Sequence, residues 1–346
     1  MMNTKRLLRK MLEIYSPSGK EEKLVDFLQP VMEGLGYHTK QDETGNLIGR
    51  IGKGSTQVLL LGHLDTVEGE IPVRKSGGNI YGRGAVDAKS ALAAFIGAGS
   101  QFANSSDVEV SVVGVVEEET SSKGAYAVRE DMSPDYVVVG EPSSWDGITL
   151  GYRGSIRLSY SQSVSKTHRG EKTPLPAEEA VSFFHQLRNT FDSTSSGYNS
   201  TDVRLTDIVT ENEPFRDTVD MTLDIRTSTD FNREELREFI RNHGGQASVE
   251  TTRHIPAVRS SKRSRLVSAF IGGIREVGGK PSFKLKTGTA DMNILAETWE
   301  VPIIAYGPGD SSLDHTPDEH LELEELSRAR EVLVVALNKL EESGGS

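Results

Sequence analysis

The sequence predicts an α/β protein: a mixed-sheet domain with helices on both faces, interrupted by an inserted α+β domain of ferredoxin-like order. Three observations carry this reading. Helical and strand-like apolar runs alternate through roughly the first 150 residues, as in a mixed or parallel sheet covered by helices. From Ser155 to Arg253 the order becomes strand, helix, strand, strand, helix, strand, the split βαβ unit. After Arg259 the first pattern resumes. The chain's 346 residues suit about two domains at roughly 150 residues each. The expected boundaries are 1–153 and 257–346 for the two parts of the first domain, and 154–256 for the insert.

The segment Met1 to Tyr15 spaces Leu7, Leu8, Met11, Leu12 and Tyr15 among Lys5, Arg6, Arg9, Lys10 and Glu13. That is an amphipathic helix, not the unbroken apolar stretch of a signal peptide. Pro17 and Gly19 end it, and a second helix runs from about Glu21 to Leu35, stopping at Gly36. A strand pair, Tyr37–Gln41 and Leu47–Ile51, precedes the apolar strand Val58–Leu61; a helix of small residues follows from Ala88 to about Phe102. The β-branched strand Val108–Val116, a helix near Gly124–Glu130 and the strand Tyr136–Val139 complete the first part. In the insert, Ser155–Gln162, Val203–Thr210, Thr218–Thr227 and Ala247–Arg253 read as strands, with helices at Ala177–Phe191 and Arg233–His243. A helix at Leu266–Val277, a strand at Val301–Tyr306 and a closing helix at Leu323–Leu340 return the chain to the first domain.

Composition narrows the chemistry. With no cysteine, disulfides, thiolate nucleophiles and sulfur-bound metals are excluded, so any metal is held by nitrogen and oxygen. A net charge of −12 argues against a nucleic-acid partner, which needs a basic face. No segment approaches the roughly 20 apolar residues of a membrane span. A cytoplasmic protein is the expectation.

Four of the apolar strands stop just before groups that bind metals. His63 follows Leu59-Leu60-Leu61-Gly62, with Asp65 two residues on, where its carboxylate can hold the ring nitrogen that faces away from a metal. Glu117-Glu118-Glu119 follow the most apolar strand, and three carboxylates there repel one another unless cations offset them. Glu141-Pro142 caps the next strand, and Asp314-His315-Thr316-Pro317 lies in a Gly- and Pro-rich loop after the last. Asp87 ends the run Gly82-Arg83-Gly84-Ala85-Val86-Asp87. That run begins like a dinucleotide loop, but a carboxylate there would repel a pyrophosphate. Its two oxygens can instead bridge two cations. Ligands gather outside the carboxyl ends of the strands in such sheets. The order and spacing are those a two-metal amide hydrolase needs, with donors for two four- or five-coordinate ions.

These motifs resemble the M20 family of metallopeptidases and deacylases, over the whole chain, because they flank the insert. The resemblance implies that the first domain is catalytic and that the insert is a lid and dimerisation domain, making the protein a homodimer. It implies two zinc ions per subunit, with cobalt a plausible substitute, held by His63, Asp87 as bridge, Glu119, Glu141 and His315. Glu118 becomes the catalytic base, with Asp65 behind His63; Gly124, five residues after Glu119, supports that register. His168 becomes the lid histidine that reaches a partner's active site. Asn212 and Arg226 become binders of the substrate carboxylate, and Gly288 lies in the substrate loop Lys286-Thr287-Gly288-Thr289-Ala290-Asp291-Met292-Asn293.

More narrowly, the chain is similar to hydrolases that release lysine, or ornithine, from an acidic amino-group carrier protein. There the amide joins the carrier's C-terminal γ-glutamyl group to the α-amine of lysine. Lys166, Arg169 and Lys172 beside His168 would then steer the carrier in. Two other activities stay open within the family. One is small N-acyl amino acid deacylation, as in acetylornithine deacetylase or succinyl-diaminopimelate desuccinylase. The other is a di-zinc aminopeptidase, which typically has Asp at the position of Glu141. A binding module of the same fold would normally have lost a ligand or the base, and all six are present.

Overall fold

A computed structural model of the chain describes residues 3–166, 174–212 and 214–341. The chain divides into two compact units, one of residues 1–151, 260–285 and 290–346, the other of residues 152–259 and 286–289.

The first unit opens with helices α1 (Thr4–Leu12) and α2 (Glu22–Gly34). The Asn3 side chain caps α1 by accepting the Lys5 N–H at 2.8 Å, and Leu7, Leu8, Met11 and Leu12 form its buried stripe. Strands β1 (His38–Gln41), β2 (Leu47–Gly52) and β3 (Thr56–His63) follow, then the short β4 (Arg74–Ser76) and β5 (Asn79–Tyr81). Helix α3 (Lys89–Gly99) is buried on nearly every side, which its alanines and glycines allow. Strand β6 (Val108–Val115), helix α4 (Lys123–Asp131), and strands β7 (Tyr136–Val139) and β8 (Gly147–Tyr152) come next.

The second unit holds β9 (Gly154–Ser165), α5 (Pro176–Phe191), β10 (Asp202–Asn212), β11 (Arg216–Thr227), α6 (Arg233–His243), β12 (Ser248–Ile255) and the two-residue β13 (Val258–Arg259). The chain then adds α7 (Arg265–Glu276), β14 (Ser282–Lys286), α8 (Asp291–Ala296), β15 (Ile303–Ala305), β16 (His320–Glu322) and α9 (Leu323–Glu341).

What positions the site is the middle of the large sheet. Its strands run in the order β1-β2-β6-β3-β7-β15-β8. The neighbours β6, β3, β7 and β15 are mutually parallel, whereas β2 and β8 join them antiparallel. Four adjacent strands therefore end at one edge. Their sequences are near-continuous Val, Leu and Ile because both faces are covered, and Val58, Leu59, Leu60 and Leu61 are all buried. Strand β8, which pairs with β14 on its other side, is not evident from the sequence: glycines at 147 and 151 weaken its pattern.

In the second unit, a four-stranded antiparallel sheet in the order β10-β11-β9-β12 has the ferredoxin-like arrangement the sequence implies. Its core joins Ile156, Leu158, Tyr160, Leu223 and Ile225 of the sheet to Phe183 and Leu187 of α5 and Leu236 and Phe239 of α6. Among the described residues, no helix is long and apolar enough to cross a membrane.

Candidate active site

His63 is the last residue of β3 and is 1 % exposed. Its Nδ1 lies 2.9 Å from the Asp65 carbonyl oxygen, and its Nε2 lies 3.2 Å from Asp87 Oδ1. A proton on Nδ1, donated to that carbonyl, leaves Nε2 free to act as a ligand. The Asp65 carboxylate is 3.5 Å from Nδ1, the support the spacing suggests, and it has further partners. It accepts the N–H groups of Glu118 and Glu119, each at 3.1 Å, and the Ser18 hydroxyl at 2.6 Å. The chain leaves the strand after His63, yet the Asp65 carboxylate still lies beside the ring nitrogen that faces away from Asp87, as the two-residue spacing implies. The aspartate thus stands beside the His63 ring and also fixes the backbone of the acidic turn.

That turn is built tightly. Asn46 spans it, accepting the Val116 N–H at 3.0 Å and donating to the Gly124 carbonyl at 3.0 Å. A Cβ on Gly124 would fall 2.6 Å from the Val116 nitrogen, so only glycine lets α4 start this close to the end of β6. Glu117 adopts φ +56°, a conformation that costs energy outside glycine, and it turns away from the cluster to pair with Lys123 and Ser121. Only Glu118 and Glu119 turn inward.

Asp87 stands between the two histidines. Its Oδ1 faces His63 Nε2 at 3.2 Å and its Oδ2 faces His315 Nε2 at 3.1 Å. His315, held at φ +57° and 51 % exposed, also reaches Glu119 Oε1 at 3.1 Å. Two sets of donor atoms result, each within 4.8 Å of one another: His63, Asp87 and Glu141, and Asp87, Glu119 and His315. They share Asp87. Glu118 joins His63 and Glu119 in a third such group.

The electrostatics ask for cations. Burial pushes Glu118 and Glu141 well above the usual carboxylate range, with neighbouring acids adding to the shift. Burial also raises Glu119, with Asp87 adding to the effect and the His315 hydrogen bond opposing it. For Asp87, burial is outweighed by hydrogen bonds from His315 and His63, which hold it below the usual range. Burial resists charging His63, yet its bonds to Asp65 and Asp87 raise it well above an ordinary histidine. His315 is raised to about 10 by its hydrogen bonds with Asp87 and Glu119. A dense set of oxygen and nitrogen donors, short of positive charge, fits a pair of divalent cations.

One further acid completes the picture. Asp291, at the start of α8, is 1 % exposed and its Oδ1 has no hydrogen-bond partner. Burial lifts it to about 7, and its charge couples to His63, Asp65 and Glu119. An orphaned, buried carboxylate oxygen is costly unless something positive stands near it.

Residues 59–339 match Peptidase family M20/M25/M40. The chain belongs to the M20 family. Among its relatives, the LysW-lysine hydrolase of Deinococcus radiodurans is 39 % identical over 350 residues, which cover 97 % of this chain and 96 % of that protein. The LysW-lysine/LysW-ornithine hydrolase of Sulfurisphaera tokodaii is 31 % identical over 340 residues, 97 % of this chain and 95 % of that one. Among solved structures, a dinuclear metal binding peptidase of the M20 family from Bacillus subtilis superposes with a TM-score of 0.72 at 14 % identity, covering 98 % of each chain. M20 membership makes the protein a metal-dependent hydrolase with a catalytic domain and an inserted second domain.

In the M20 insert the expected residues fare unevenly. His168, Arg169 and Lys172 lie outside the described residues, whereas Lys166 sits 3.9 Å from Asp217. Arg226 donates to the Thr289 hydroxyl at 3.3 Å. Its obvious salt-bridge partner, Asp224, is taken by Nε and Nη2 of Arg157, at 2.7 and 3.0 Å. Burial lowers the Arg226 pKa; Asp224 opposes this, and Arg153, Arg253 and Arg204 add to it. Gly288 lies in the 286–289 segment of the second unit, where Arg153 Nε donates to the Thr287 carbonyl at 3.2 Å.

Asn212 does not lie beside Arg226. In the β10–β11 register Asn212 pairs with Asp217 and Arg226 with Asp202, at opposite ends of the hairpin. Those levels lie nine positions apart along β11, roughly 30 Å. Within one chain the two cannot grip the same carboxylate. The side chain of Asn212 lies outside the described residues.

Proposed function

We propose that this M20 protein is a two-zinc amide hydrolase that releases lysine, or ornithine, from the γ-glutamyl C-terminus of an amino-group carrier protein. The observation that carries this reading is the similarity over nearly the whole length to LysW-lysine hydrolase, at 39 % identity. The donor set supports the cofactor: His63 and Glu141 would hold one ion, Glu119 and His315 the other, and Asp87 would bridge them. Zinc suits four or five nitrogen and oxygen ligands, and cobalt is a workable substitute.

Two such ions would acidify a water molecule and polarise the scissile carbonyl. The chain's own groups do the rest. Glu118, grouped with His63 and Glu119, would take the water's proton and return it to the departing α-amine. Asp65 holds the backbone of Glu118 and so aims it. In this reading His168 of a partner subunit donates a hydrogen bond to the developing oxyanion. Arg226 pairs with the free carboxylate of the lysyl half, and the loop around Gly288 closes on the substrate.

The insert, residues 154–256, serves as lid and dimerisation domain. The edge strand β10 supports this, because it exposes Ile208 and Val209 along unpaired backbone. A dimer also accommodates Asn212: its distance from Arg226 means that both serve one carboxylate only if they come from different subunits. The protein works in the cytoplasm as a homodimer, with an acidic carrier steered by Lys166, Arg169 and Lys172.

The test compares amine release by the zinc-loaded protein from lysine joined to the carrier and from N-acetylornithine, at matched concentrations. Strong preference for the carrier substrate is expected. Preference for the small substrate would leave the metal chemistry standing and move the function to a general deacylase.

A further inference from the structure

We infer that Glu319 is a positioning residue for the two-cation site: its carboxylate sets Asp87 in place and ties it to the loop of His315. Glu319 is 1 % exposed, four residues after His315. The 82–87 loop wraps around it. Its Oε1 accepts the N–H groups of Val86 at 2.8 Å and Asp87 at 3.1 Å. Its Oε2 accepts the Gly84 N–H at 3.1 Å and the Arg83 guanidinium at 2.8 Å. The Gly82 N–H reaches the Glu319 carbonyl oxygen at 3.3 Å. Every donor in this set belongs to the loop that carries the shared ligand, and one of them is the backbone of Asp87 itself.

The arrangement has a mechanical meaning. Asp87 places one oxygen toward His63 and the other toward His315, so a small rotation of its backbone would spoil both sets of donors at once. Within the 82–87 loop the Ala85 N–H closes a turn on the Gly82 carbonyl at 3.0 Å, which leaves the N–H groups of Gly84, Val86 and Asp87 to Glu319. Gly84 sits at φ +88°, a conformation that other residues resist, and the loop's two glycines, Gly82 and Gly84, lose more freedom on ordering than other residues do. The buried carboxylate supplies that order, and Arg83 offsets its charge in a place where an unpaired anion would be costly. The same acid is joined through three residues of chain to His315, at the left-handed φ of +57°. Glu319 therefore couples the bridging ligand to the most exposed ligand of the cluster. Partners that orient metal ligands in this way are worth roughly 10–100-fold in metal affinity.

The inference rests on the two-cation reading, and one experiment separates the two. Zinc affinity is measured by chelator competition on the full-length wild type and on Glu319→Gln, with the thermal midpoint recorded alongside. In Glu319→Gln one end of the side chain becomes an NH₂ that faces backbone donors. Zinc affinity should fall roughly 10–100-fold, and saturating zinc should restore part of kcat with KM for substrate little changed. A lower midpoint with zinc affinity within twofold of wild type would make Glu319 a fold-stabilising residue only and overturn the inference. A wild type that binds neither zinc nor cobalt overturns the two-cation reading instead. If Glu319→Gln does not accumulate as folded protein, Glu319→Asp keeps the charge and withdraws it by one methylene. Weaker zinc binding is expected there too, and unchanged binding overturns the inference.

Discussion

Removing the cations should turn the pH dependence of stability upside down. The perturbation is a strong chelator; the magnitude comes from the buried acids. Asp291 is lifted by burial from 3.8 to about 7. In the unfolded chain it has lost its proton above pH 4, whereas in the folded chain it keeps one until about pH 7. Its contribution to stability is therefore fully present below its unfolded pKa and is lost as pH rises through the folded one. A shift of about three units corresponds to an upper bound on the order of 4 kcal/mol. Glu118 and Glu141, raised by burial, act in the same direction. So do the raised histidines: the contributions of His63 and His315 are present below about pH 6.5 and are lost above it, that of His315 towards pH 10. Asp87, held low, is already ionised throughout this window and adds no slope. Thermal melts in chelator between pH 5 and 8 should thus show a midpoint that falls with pH: the part of the Asp291 contribution lying between pH 5 and 7, roughly 3 kcal/mol, is worth about 4 °C in a chain of this length. Asp291→Asn should flatten part of that slope. With zinc the slope should reverse, because the ligands must be deprotonated to bind. A chelated protein as stable at pH 8 as at pH 5 would refute the reasoning, since the acids would then be satisfied without cations.

Three substitutions probe single parts of the site. Glu118→Ala should leave zinc content intact and lower turnover by roughly 10²–10⁴-fold; turnover near wild type would remove it as the base. Asp65→Asn places an amide NH₂ against the N–H groups of the acidic turn, so zinc affinity and turnover should both fall roughly 10–100-fold, checked by chelator competition and kinetics. Gly124→Ala drives a methyl group into the Val116 backbone and should destabilise by about 3 kcal/mol in chemical denaturation, with no loss expected only if α4 can shift.

How much of this was legible in the sequence depends on where each residue's chemistry comes from. His63, Glu118, Glu119 and Glu141 announce themselves because charged ligand types directly follow runs of Val, Leu and Ile, and parallel strands carry those ends to one edge. Asp291 and Glu319 leave no such trace. In sequence Asp291 is an ordinary acid at a helix start, and Glu319 sits in Asp318-Glu319-His320, which reads as a solvated charged turn. Their importance comes from burial, and burial here is made by distant chain. The 82–87 loop folds over Glu319 from more than 200 residues away, as the 235-residue separation of its Gly84 bond records. Asn212 and Arg226 teach the reverse lesson. Fourteen residues is a plausible spacing for neighbours across a hairpin, but the turn follows Asn212 almost at once, so nearly the whole spacing is spent along β11. A spacing fixes proximity only when the turn lies midway. When it lies at one end, the same count sends two residues to opposite ends of the sheet, and a shared ligand then requires a second copy of the chain.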